Sequence, residues 1–142
     1  MALSIVFEDV DDFSFSEELL MTSYGRISFD FSKILGDVSL VFCSDAYILD
    51  VNMKYLNHDY FTDIITFDYS ADSVVSGDLI VSLETVLSNS VIYNTQFNVE
   101  LFRVAIHGIL HLCGLDDKTD DDLQKMRVAE NKYLNFCANP FA

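Results

Sequence analysis

The stretch Asn98-Val99-Glu100-Leu101-Phe102-Arg103-Val104-Ala105-Ile106-His107-Gly108-Ile109-Leu110-His111-Leu112-Cys113-Gly114 decides how the chain folds. Its apolar residues point in nearly every direction around a helix, and a helix apolar almost all round belongs in the middle of a protein. The strongly polar side chains Glu100, Arg103, His107 and His111 fall within an arc of roughly 80°, at about 100° per residue. One polar stripe on a buried helix requires something polar to face.

His107 and His111 are four apart, so they stand one turn above the other and can share one metal ion. Gly114 offers the left-handed conformation that ends a helix and turns the chain back. Three residues later Asp117 supplies a carboxylate where a third ligand would close on the same ion, giving the pattern H-x-x-x-H-x-x-G-x-x-D. Two imidazoles and a carboxylate suit a single zinc ion in an open catalytic site, and iron, nickel and manganese accept the same donors. Such an ion acidifies a water and polarises a carbonyl or phosphoryl oxygen, so hydrolysis is the natural chemistry. A histidine pair at this spacing is equally what hydrogen-bonded core residues look like. The glycine and the carboxylate at ligand spacing, with Asp116 alongside, move the reading to a metal.

Neighbouring residues are assigned by the same geometry. Cys113 is two residues from His111, turned about 200° from the ligand face, and belongs to the core. His58, in the polar turn Asn57-His58-Asp59, reads as a solvated loop residue. Arg103 continues the stripe and either neutralises a bound phosphate or pairs with Glu100 on the same face.

Working outward, Leu3–Phe7, Val38–Cys43, Ile64–Tyr69 and Leu79–Leu83 are β-branched or aromatic runs that predict four strands. Ser44 is the expected N-cap of a helix over Asp45–Leu56, where Ile48, Val51 and Tyr55 recur at helical spacing. Between Ser16 and Leu35 the signals conflict. Glu17–Tyr24 reads as a helix, whereas Ile27, Phe29 and Phe31 alternate like a strand after Gly25. Glu84–Tyr93 predicts a short amphipathic helix. Thr119-x-x-Asp122 is a capping-box-like start to a final helix carrying Leu123, Met126, Tyr133 and Cys137 on one side. With no repeat, no low-complexity stretch and a lone proline, Pro140, in the tail, residues 1–142 read as one α/β domain.

The 142 residues are 51% hydrophobic, enough for a real core. The three cysteines, Cys43, Cys113 and Cys137, form no C-x-x-C pair and read as reduced thiols of a cytoplasmic protein. The N-terminal apolar run stops at Glu8-Asp9, too short for a signal peptide, and no segment approaches the roughly 20 apolar residues of a membrane span. A net charge of -15 excludes nonspecific, charge-driven binding to nucleic acid or anionic lipid. The cations are unevenly spread, however. Residues 97–142 hold five of the eight, and residues 37–96 hold one against nine acids.

His107-Gly108-Ile109-Leu110-His111-Leu112-Cys113-Gly114-Leu115-Asp116 resembles the signature H-G-x-L-H-L-x-G-x-D of the YbeY family of bacterial endoribonucleases. Asn52…Tyr55 followed by Thr62-Asp63-Ile64-Ile65-Thr66-Phe67 is similar to the family's L-N-x-x-Y and T-[DN]-V-L-S-F segments. Gly77-Asp78-Leu79-Ile80-Val81-Ser82 resembles its G-D-I-x-I-S strand. The resemblance implies a small mixed four-stranded sheet, helices packed around the ligand helix, and a cleft beside the metal. It also implies single-strand endoribonuclease activity in maturation of the 16S ribosomal RNA 3′ end and in ribosome quality control.

Two positions depart from the family pattern. The family commonly has a third histidine where this chain has Asp117, which should alter metal preference while preserving a three-ligand site. It commonly has an arginine where this chain has Leu56, so a phosphate-binding or catalytic cation is missing there, for which Arg103 or Lys118 can substitute. The candidate site is therefore His107, His111 and Asp117 as metal ligands and catalytic centre, with Arg103, Lys118, Thr62 and Asp63 as substrate-binding residues. The charge of -15 makes local cations and stacking of unpaired bases on Tyr55, Tyr60 or Phe61 the means of holding single-stranded RNA, delivered by a ribosomal partner.

Three other activities compete. A metalloprotease shares the ligand spacing, but the general base of H-E-x-x-H would stand where this chain has Gly108. A non-haem iron oxygenase shares the two-histidine, one-carboxylate triad but needs a co-substrate site with no counterpart in the sequence. A noncatalytic ribosome-associated module would use the metal only to pin the final turn.

Overall fold

The computed structural model describes residues 2–58 and 62–138. Along them run β1 (Ala2–Phe7), α1 (Glu17–Asp30), β2 (Ile34–Cys43), α2 (Asp45–Leu56), β3 (Ile64–Asp68), β4 (Val74–Ser82), α3 (Leu83–Ile92), α4 (Phe97–Leu112) and α5 (Asp120–Ala138). Asp59, Tyr60, Phe61 and Pro140 lie outside the described residues. The four strands form one sheet in the order β1-β2-β4-β3. β1 and β4 run parallel to β2, and β3 is antiparallel to β4, so the sheet is mixed. β2 and β4 begin earlier than their apolar runs, because the pairing continues past Asp37 and Gly77 with a register shift between Leu35 and Val38.

One face of the sheet carries most of the core, where Leu20, Tyr24 and Ile27 of α1 meet Leu40, Phe42 and Leu79 of the strands and Ile106, Ile109 and Leu110 of α4. The opposite face packs Val41, Cys43, Ile65 and Ile80 under Ile48 of α2. Cys113 is buried in the larger core, as its angle from His111 requires. α4 is the central helix, packed on β3 and β4 with α1, α3 and α5 around it. The close approach of α4 to the sheet depends on glycine. A Cβ on Gly77 would run into the carbonyl oxygen of Phe67 and lie 2.9 Å from Leu112 Cδ2, and one on Gly108 would lie 2.9 Å from Ile64 Cδ1 and from Leu79. Because the obstacle at Gly77 is backbone, Gly77→Ala is expected to destabilise the fold by about 1–3 kcal/mol, read as a lower denaturant midpoint at unchanged slope.

The capping residues act as their chemistry predicts. The Ser44 side chain accepts from the Tyr47 N–H at the start of α2. Thr119 and Asp122 exchange side-chain-to-backbone bonds at the start of α5. At the end of α4 the Gly114 N–H donates to the His111 carbonyl and the Leu115 N–H to that of Leu110, with Gly114 at φ 106°.

Two expectations are corrected. The alternation Ile27, Phe29, Phe31 is no strand. α1 continues to Asp30 because Leu20, Tyr24 and Ile27, at helical spacing, are fully buried while Phe29 is 77% exposed. Leu123 is exposed, and the buried stripe of α5 is Met126, Glu130 and Tyr133.

Candidate metal centre

His107 and His111 stand partly buried on one side of α4 with ring centroids 4.6 Å apart, and the chain turning back through Gly114 lays Asp117 against both. Asp117 Oδ2 is 3.4 Å from His107 Nε2 and 3.2 Å from His111 Nε2. One ligand atom from each of the three lies within 4.8 Å of the others, a group that can hold a metal ion. The donor chemistry fits, since each imidazole offers Nε2 to the same point and the carboxylate brings charge.

Glu130 of α5, a residue sequence reasoning missed, sits behind His107. It is buried, and its Oε2 is 2.8 Å from His107 Nδ1. A carboxylate there accepts from Nδ1–H and leaves the Nε2 lone pair for an ion. Burial works against protonation of His107, but the hydrogen bond and charge of Glu130, then Asp117 and Asp63, outweigh it and raise its pKa above the ordinary histidine value. The available signal was a glutamate four residues from Met126 and three from Tyr133, on the core face of an amphipathic helix.

Two hollows meet at His107. The larger, about 450 Å³, runs between the histidines, β3 and the end of α2, and is lined by Thr62, Asp63, Thr66, Leu56, His58 and Lys118. Thus Thr62, Asp63 and Lys118 stand beside His107, His111 and Asp117, Leu56 occupies the wall of the cleft, and His58 is an exposed residue at its side. The smaller hollow, about 230 Å³, opens between α3, α4 and α5 and includes Asp63, Asn89, Tyr93, Arg103 and Arg127. Arg103 is turned inward there. Its guanidinium lies 3.5 Å from Glu100 and 3.4 Å from Glu130, and it donates to Asn131 at 3.1 Å. Burial raises the pKa of Glu100, opposed by Arg103, and burial likewise raises that of Asp63, opposed by His107. Tyr55 is exposed on α2, its ring 5.9 Å from that of Phe67. Tyr60 and Phe61 lie outside the described residues.

Comparison with known proteins gives a consistent result. A family profile described as Endoribonuclease YbeY matches residues 13–138. A protein of Bacteroides fragilis named Endoribonuclease YbeY is 54% identical over 104 residues, covering 73% of this chain and 75% of that one. One of Parabacteroides distasonis bearing the same name is 43% identical over 134 residues, covering 94% of each. Among solved structures, the solution structure of a Thermotoga maritima protein superposes with a TM-score of 0.66 at 26% identity, covering 96% of this chain and 89% of that one.

Proposed function

The chain belongs to the YbeY family of endoribonucleases, and from that premise we propose that it is a single-strand-specific, metal-dependent endoribonuclease acting in 16S ribosomal RNA 3′-end maturation and ribosome quality control in the cytoplasm. The observation that supports it most is the convergence of His107, His111 and Asp117 within 4.8 Å at the meeting point of two hollows. Zinc is the proposed ion, held by His107 Nε2, His111 Nε2 and an oxygen of Asp117. When bound, it would supply Lewis-acid polarisation of a phosphoryl oxygen and a water acidic enough to attack phosphorus.

The chain's own residues do the rest. Glu130 fixes the His107 tautomer through Nδ1–H. Asp63, half-buried beside His107 and raised in pKa, is a carboxyl able to hold a proton next to the scissile phosphate. Lys118 brings a cation to the larger hollow, and Thr62 a hydroxyl. Leu56 brings none, which leaves phosphate binding on this wall to Lys118. Arg103, placed between two carboxylates, serves the ligand scaffold more directly than it serves substrate. Gly108 packs against Leu79, and no side chain there can act as a peptidase base.

The test is cleavage of a precursor 16S RNA carrying its unprocessed 3′ extension, alone and within small ribosomal subunits. Cleavage near the mature 3′ end, faster within subunits, is expected. Metal-dependent cutting scattered over any single strand, with no gain within subunits, would remove the maturation role and leave the nuclease.

A further inference from the structure

Of the eight Lys and Arg residues, Arg26, Lys54, Arg103, Lys125 and Lys132 are ion-paired to carboxylates. Among the described residues Lys33, Lys118 and Arg127 make no ion pair, and two of these three stand at the metal centre on opposite sides. Lys118 lines the larger hollow with His111, and Arg127 lines the smaller with His107. Arg127 is exposed on α5 and lines the hollow together with the buried Met126 and Glu130. Across the smaller hollow, at the C-cap of α3, Tyr93 is 60% exposed and is part of the lining. An exposed aromatic residue and a guanidinium that makes no ion pair, though it feels the charge of Glu100, line one hollow here, and single strands use that combination, since a ring stacks on a base of any sequence and the cation takes its phosphate.

We propose that the smaller hollow is a nucleotide subsite of the nuclease, in which Arg127 binds the phosphate next to the scissile one and Tyr93 stacks on its base, while Lys118 holds the strand on the other side of the metal centre. The inference rests on the nuclease reading and extends it with two residues that the family motifs do not include. It also answers how a chain of charge -15 can hold a polyanion. Cations already bound to carboxylates contribute little attraction, so grip comes from the few left unpaired, and two of these three lie where the strand must pass. The track spans both hollows, so a strand reaching only one of them is held by only one cation.

The test is fluorescence anisotropy with a labelled single-stranded RNA octanucleotide on the metal-loaded protein across a range of salt, read over times in which gel analysis shows the strand uncut. Arg127→Ala is expected to weaken binding severalfold and to lower the slope of log affinity against log salt by about 0.7, the value for one single-strand phosphate contact. Tyr93→Ala is expected to weaken binding about tenfold with the slope unchanged. Lys33→Ala, which makes the same charge change away from both hollows, should bind as wild type does. Wild-type affinity in both Arg127→Ala and Tyr93→Ala, an equal loss in Lys33→Ala, or no binding by the wild type would each overturn the subsite. Failure of the nuclease reading would show separately, as intact binding of the strand with no cleavage of it on prolonged incubation.

Discussion

His111→Ala is expected to reduce the bound metal of the purified protein from one ion per chain to a trace and to abolish RNA cleavage, with the fold retained. Two remaining ligands, one a partly exposed carboxylate, hold a divalent ion far less tightly than three. His111 is the cleaner choice of the two histidines. His107 is tied to the buried Glu130, so removing its ring also takes the hydrogen bond from Glu130 Oε2 in the interior, a separate cost of about 1–3 kcal/mol. Among the described residues the His111 ring nitrogens meet Asp117, and the ring is partly exposed. Metal analysis therefore reads ligation alone. A thermal scan adds a second check, since zinc at a hundred times its dissociation constant stabilises the wild type by about 2.7 kcal/mol and should leave His111→Ala unmoved. Full metal content in the variant would place the ion elsewhere.

Glu130→Gln is expected to lower metal affinity about 10- to 100-fold, the usual effect of losing a carboxylate behind a ligating histidine. The amide oxygen can still accept from Nδ1–H, so the ring keeps its tautomer. What disappears is the negative charge that makes the imidazole a better donor and that faces Arg103. Chelator competition measures the affinity, and unfolding of the metal-free protein supplies the control. A positioning role predicts a large loss of affinity with the metal-free stability changed by about 1 kcal/mol or less. A purely structural role predicts the reverse, and unchanged affinity would remove Glu130 from the account.

How much of this was legible in the sequence follows from which interactions are local. The grouping of His107 with His111 was legible because one helix carries both, and that of Asp117 because a single glycine-terminated turn brings it back. Ser44, Thr119 and Gly114 were legible for the same reason, since caps are made within four residues. The α1 region was misread where Ile27, Phe29 and Phe31 alternate. Only the packing of Leu20, Tyr24 and Ile27 against the sheet decides between the two periods. Glu130 and Arg127 were hidden because their meaning lies in the approach of α5 to α4, which no local pattern encodes. Arg103 shows the complementary case. Its place on the ligand stripe was clear, but Glu130, the second carboxylate that holds it, comes from 27 residues away.

The most direct test incubates the metal-loaded chain with single-stranded RNA, duplex DNA and an unstructured peptide, each with and without chelator, beside His111→Ala prepared identically. The account predicts slow cleavage of the RNA alone, lost with chelator and lost in the variant. Cleavage of the peptide by the wild type and not by the variant, with the RNA left intact, would contradict it.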